Sequence, residues 1–160
     1  MVYITISVLV WMPDIQQFFE IVTRLLKPNG WLVMYETHPV LEMLEPNEKD
    51  NPPPAQNSYF KTDRYVEEDG LDYYGMSKYK SAPKYSFPHK LSAIMTACLN
   101  NGLQLVSFEK YGHDITNLWA HFEHFKVKPP MCYTLVAKQQ ITLPARQPKP
   151  SLCHRIRGSE

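Results

Sequence analysis

Two polar residues stand where this chain could do acid–base work. Glu36 and His38 close the apolar run WLVMYETH just before Pro39, and a carboxylate or imidazole at the end of a strand can take a proton from a nucleophile. A second concentration, WAHFEHF, holds His121, Glu123 and His124. Its spacing is not H-E-x-x-H and it lacks a clear third protein ligand, so no metal site is expected. Trp119, Phe122 and Phe125 in the same stretch suit an aromatic wall, with His113 or His121 facing what the wall encloses. Tyr73 and Tyr74, beside Gly70 and Gly75, suit either a lid that closes over a substrate or an anchor of that segment to the body. Cys98, Cys132 and Cys153 lie far apart without C-x-x-C spacing, which points away from a disulfide framework or zinc site and toward a reducing cytosol.

These residues need elements to position them. Val2 to Met12 is β-branched and aromatic on both alternating faces, the pattern of a strand covered on both sides in a parallel sheet. Pro13-Asp14 opens a helix whose apolar stripe is Ile15, Phe18, Phe19, Val22, Leu25 and Leu26, and Pro28-Asn29-Gly30 ends it. Trp31 to Thr37 is a second strand of the buried type. Strand, helix and strand in that order form a βαβ unit with parallel strands. From His38 to Pro88 regularity stops, and a long aperiodic segment within a domain is a lid or a disordered loop. Six of the ten tyrosines fall between Tyr59 and Tyr85, which favours a partly ordered lid. A helix follows with Leu91, Ile94, Met95, Cys98 and Leu99 on one stripe and stops at Asn100-Asn101-Gly102. Leu103 to Lys110 and Cys132 to Lys138 read as an antiparallel strand pair joined by a long connection.

The 160 residues fit one domain, residues 1–138 with an insertion at 38–88, followed by a basic tail at 139–160 that reads as disordered. With 44% hydrophobic residues the chain can build a core. Seventeen Lys+Arg against sixteen Asp+Glu give a net charge of +1, which argues against nucleic acid as a partner. The longest apolar run is too short to span a bilayer, and no basic segment precedes it as in a signal peptide, so no membrane association is expected.

The stretch SVLVWMPDIQQFFEIVTRLLKPNGWLVMYE resembles the latter half of class I S-adenosylmethionine-dependent methyltransferases, of the type 11/25 group. The residues that carry the resemblance are Leu9, Trp11, Pro13 and Asp14, then Arg24, Leu26, Lys27, Pro28, Asn29 and Gly30, with Asn29 in place of the usual first glycine. It extends from about Val2 to Lys138 and implies an α/β, Rossmann-like methyltransferase half-sheet: βαβ, a long lid insertion, a helix, then an antiparallel strand pair. The family's glycine-rich loop and ribose-binding acid have no counterpart. The six glycines, at 30, 70, 75, 102, 112 and 158, include no G-x-G, so the N-terminal cofactor half is expected to be missing.

What the resemblance implies is a fragment of a cytoplasmic methyltransferase acting on a small or medium-sized acceptor, with weak or absent S-adenosylmethionine binding by this chain alone. Ser7, Val8 and Leu9 would border the cofactor's methionine part, or pack as sheet core. Trp11 would wall the same pocket, since a sulfonium is favoured over an aromatic face, or pack in the core. Glu36, His38 and His121 would be the catalytic polar groups, and Tyr73, Tyr74, Trp119 and Phe122 the substrate walls. The alternative is a non-catalytic chain that pairs with another protein, or with itself, through the open edge of its first strand or through the tyrosine-rich insertion.

Overall fold

The computed structural model of the chain describes residues 1–44, 54–70 and 79–140. Its centre is a four-stranded sheet. Strand β1, Val2–Thr5, lies at one edge and pairs in parallel with β2, Trp31–Thr37. Helix α1, Ile15–Leu25, joins them. The Asp14 carboxylate caps α1 by accepting a hydrogen bond from the Gln17 amide at 3.0 Å. Helix α2, Leu91–Asn100, leads into β5, Leu103–Tyr111, and the last strand, β6, Cys132–Gln139, inserts antiparallel between β2 and β5. The spatial order is therefore β1-β2-β6-β5. Because β6 runs to Gln139, and the Gln140 amide reaches the Gly102 carbonyl at 2.9 Å, the expected tail does not begin at 139. Residues 141–160 lie outside the described residues.

Both helices cover one face of the sheet. Phe19 and Val22 of α1, its C-cap Leu26, and Ile94, Ala97 and Cys98 of α2 bury against Ile4, Leu32, Met34, Leu135 and Ala137. Burying this apolar surface, at about 25 cal/mol per Å², is what holds the two layers together. The stripes are narrower than their sequence suggests. Leu25 is 71% exposed because it stands about 80° round α1 from Ile15, beyond the arc that meets the sheet. Leu99 is exposed for the same reason, while the small Ala97 takes the contact on α2.

The expected strand Val2–Met12 is cut short. After Thr5 the backbone turns through left-handed conformations at Ile6 and Ser7, with φ of 51° and 57°, and Leu9–Trp11 form a 3₁₀ turn. Nor is β1 covered on both sides. Strand alternation sends Tyr3, Trp31, Val33, Tyr35 and Tyr111 to the face away from the helices, where Tyr3 is 60% exposed. The segment between His38 and Pro88 also has more order than its sequence implies. It contains a 3₁₀ turn at Pro39–Met43 and a hairpin of β3, Tyr65–Asp69, and β4, Lys80–Ser86. The apolar alternation of this hairpin is weak because β4 carries Pro83 together with Lys80, Ser81, Lys84 and Ser86.

Candidate functional site

Ligands of open sheets with parallel strands sit beyond the carboxyl ends of those strands. Strands β1 and β2 are parallel, and β5 is parallel to both because each of β2 and β5 is antiparallel to β6. The turn after β1, the segment after β2 and the long connection after β5 therefore leave the sheet at one end. The connection is tied there by the Met131 amide to the Tyr111 carbonyl at 2.8 Å and by the His38 amide to the Met131 carbonyl at 2.9 Å.

Glu36 organises this end. It points to the helix side of β2, is 2% exposed, and its Oε1 accepts a hydrogen bond from the Val8 amide at 3.0 Å. The Ser7 and Leu9 amides also face the carboxylate. The left-handed backbone at Ile6 and Ser7 turns these successive N–H groups toward one point, a concavity suited to an anion. Ser7 Oγ bonds Thr37 Oγ1 at 3.1 Å and fastens the same turn to the end of β2. Burial nevertheless dominates, pushing the Glu36 carboxyl up to about 7 against the opposing pull of the amides.

Directly across the sheet from Glu36 stands Tyr133 of β6, fully buried. Its hydroxyl has no hydrogen-bond partner among the described residues. Glu36 and Tyr133 line a partly open cavity of about 20 Å³, the size of one water, together with Leu9, Val10, Thr37, Pro39, Glu42, His89 and Ile94. Glu42 is raised above the usual carboxylate range by burial and then by Glu67. His89 is pushed down by burial, and its Nε2 lies 2.7 Å from the Met12 carbonyl.

Of the three expected catalytic residues, only Glu36 lines this cavity. His38 is 7% exposed with its ring edge-on to Tyr133 at 6.1 Å, and its Nδ1 accepts from the Val40 amide at 3.2 Å. Burial, then the charge of Lys110, lowers His38 to about 4, so the ring is neutral and caps the Pro39–Met43 turn. His121 packs edge-on against Phe122 at 4.3 Å and Phe125 at 6.0 Å. Trp119 and Phe122 are buried with Leu41 and Met131 in a small second core, so they are packed against protein and form no open wall. Trp11 is 52% exposed and absent from the cavity lining. Of Ser7, Val8 and Leu9, the first two hold Glu36 through their backbone and only Leu9 also lines the cavity. Tyr73 and Tyr74 lie outside the described residues.

Sequence reading missed Glu42, His89 and Tyr133. Glu42 lies within the segment that shows no periodicity and His89 directly after it, and Tyr133 meets Glu36 only through the β2–β6 register, which a single sequence does not display. Among the described residues no group of three or more His, Cys, Asp or Glu side chains could hold a metal ion, and no helix is long and apolar enough to cross a membrane.

An open α/β sheet with helices on one face and an antiparallel final hairpin defines a recognisable class of fold. No protein-family model and no curated protein matches the chain. Solved structures do. A protein described as an S-adenosylmethionine-dependent methyltransferase from Listeria monocytogenes superposes with a TM-score of 0.57 at 14% identity, over 87% of this chain and 61% of that one. An S-adenosylmethionine-dependent methyltransferase from Mesorhizobium loti does so with a TM-score of 0.56 at 15% identity, over 86% and 60%. The chain thus has a class I S-adenosylmethionine-dependent methyltransferase-like fold and spans about three fifths of the length of these structures.

The described residues do not by themselves fit that cofactor. The amides of the turn after β1 are engaged by Glu36, the cavity beside it is water-sized, and Trp11 faces outward on a half-exposed turn. A nucleoside and an amino acid together need a cleft of several hundred Å³.

Proposed function

We propose that this chain is the acceptor side of a cytoplasmic S-adenosylmethionine-dependent methyltransferase that acts on a small or medium-sized acceptor, with most of the cofactor's contacts made by polypeptide other than the described residues. One observation carries the reading. A buried carboxyl poised near neutrality, Glu36, lines a cavity at the carboxyl end of a sheet of methyltransferase-like topology. In this reading the acceptor's head group enters beside Glu36, and Glu36 takes the proton that the acceptor's nucleophilic atom must lose. Val8, Ser7 and Leu9 hold the carboxylate in place, and Thr37 fixes the turn that carries them. His38 and Tyr133 set the position of the strand ends around it.

The test is transfer of label from methyl-tritiated S-adenosylmethionine into a small-molecule extract by the natural protein that contains this chain. Label is expected in a low-molecular-weight product, and Glu36→Gln is expected to lower the rate about 100-fold or more, the usual contribution of a general base. Absence of any transfer by the natural protein would refute the reading.

A second reading has its own observation. Among the described residues the sheet face bearing Tyr3, Trp31 and Tyr111 is exposed and β1 is an open edge, features of a chain that pairs with another polypeptide. Pairing without catalysis would give association in solution and no label transfer.

A further inference from the structure

We propose that the cavity between the Leu9–Trp11 turn, β2, the Pro39–Met43 turn and β6 takes the protonated head group of an amine, with the Glu36 and Glu42 carboxyls as its counter-charges and Tyr133 Oη as a hydrogen-bond acceptor. The inference rests on the acceptor-side reading above and names the acceptor's class.

Three independent features converge on a cation that can donate hydrogen bonds. First, two carboxyls line one small cavity, and no lysine or arginine stands among its lining residues. A buried and a half-buried acid without a cation are costly, and both carboxyls are pushed toward their neutral forms by desolvation. Glu67 adds further negative potential at Glu42. Second, Tyr133 lines the same cavity, and its hydroxyl is fully buried with no partner among the described residues. A buried hydroxyl left unpaired is costly, so this group is set for a ligand that supplies the missing bond. Third, the single basic side chain of the lining, His89, is held toward its neutral form by burial and has its Nε2 turned to the Met12 carbonyl. It therefore supplies no competing positive charge.

Size narrows the class. A cavity of about 20 Å³ admits one water-sized group, which an ammonium is, while Leu9, Val10, Pro39 and Ile94 give apolar walls to the carbon next to it. A phosphate or carboxylate is excluded by charge, and an aromatic ring by volume. An ammonium donates three hydrogen bonds, and Glu36, Glu42 and Tyr133 offer three acceptors.

The experiment is a titration of the isotopically labelled chain with methylammonium chloride, followed by NMR at the glutamate side-chain carboxyl carbons and the tyrosine rings. Methanol and sodium chloride are the controls for shape and ionic strength. Methylammonium is expected to give saturable shifts at Glu36, Glu42 and Tyr133, with no saturable response to either control. Glu42→Gln is expected to weaken binding at least tenfold, and Tyr133→Phe severalfold. Because Glu42 does not hold the turn after β1, its variant keeps the test readable if Glu36→Gln disturbs folding. An equal response to methanol, shifts that never saturate, or unchanged affinity in Glu42→Gln would overturn the proposal. The outcome separates from that of the methyltransferase reading. Label transfer solely into hydroxyl or carbon acceptors would overturn the amine site and leave the methyltransferase standing, whereas saturable amine binding without any label transfer would do the reverse.

Discussion

Two buried groups on the same turn of chain, Glu36 and His38, titrate in opposite senses. The folded chain holds the Glu36 proton more tightly than the unfolded chain does, with the carboxyl moved from 4.5 to about 7. Stability from this group is greatest below about 4.5 and is lost as pH rises toward 7. His38 is moved from 6.5 to about 4, so its contribution is present above 6.5 and is lost as pH falls toward 4. Each shift amounts to about 3 kcal/mol over its window, at about 1.4 kcal/mol per pH unit. Glu42 adds to the first trend and His89 to the second. Urea midpoints of the wild-type chain are therefore expected to vary little between pH 4.5 and 6.5, where the two windows overlap. Glu36→Gln should leave midpoints that climb with pH across that range, and His38→Gln midpoints that fall. Variants whose slopes equal the wild type's would show that neither group is buried as described.

At the scale of elements, the turn that ends α1 gives a sharp test of local geometry. Asn29 has φ of 60°, while Gly30 is not left-handed and is needed for another reason: a Cβ there would lie 2.6 Å from the Lys27 carbonyl oxygen. Asn29→Gly is expected to be neutral within a few tenths of a kcal/mol, whereas Asn29→Val should cost about 1–2 kcal/mol. Gly30→Ala should destabilise even though alanine is ordinarily the better residue. Thermal melts of the three variants check the order, and a stable Gly30→Ala would contradict the close approach. The stop at Pro28-Asn29-Gly30 was legible in the sequence, as were α1, α2, β2 and the β5–β6 pair, because each has apolar periodicity and clear end signals. The early end of β1 was not. Ile6 and Ser7 are ordinary strand residues by type, and what bends them is the Glu36 carboxylate arriving from a strand thirty positions away in sequence. For the same reason Glu36 was legible as a candidate while Tyr133, Glu42 and His89 were not: their meeting is a product of register and of a segment without periodicity.

For the molecule as a whole, the decisive feature is a sheet covered on one face. Strands β1 and β2 are parallel, and sheets of parallel strands are ordinarily buried on both sides, yet among the described residues Tyr3, Trp31 and Tyr111 stand exposed and nothing pairs with the outer edge of β1. Sedimentation velocity is expected to show association of the isolated chain at tens of micromolar, and Tyr3→Lys, which charges both the face and the edge, to reduce it. A wild-type monomer at that concentration would count against this. The solved structures of the same fold are longer than this chain, which spans about three fifths of them. On the function proposed above, the described residues build an acceptor side and do not hold the cofactor unaided. Calorimetric titration of the isolated chain with S-adenosylmethionine tests it most directly. No saturable heat is expected at micromolar ligand, whereas a micromolar Kd, about −8 kcal/mol, would contradict the claim.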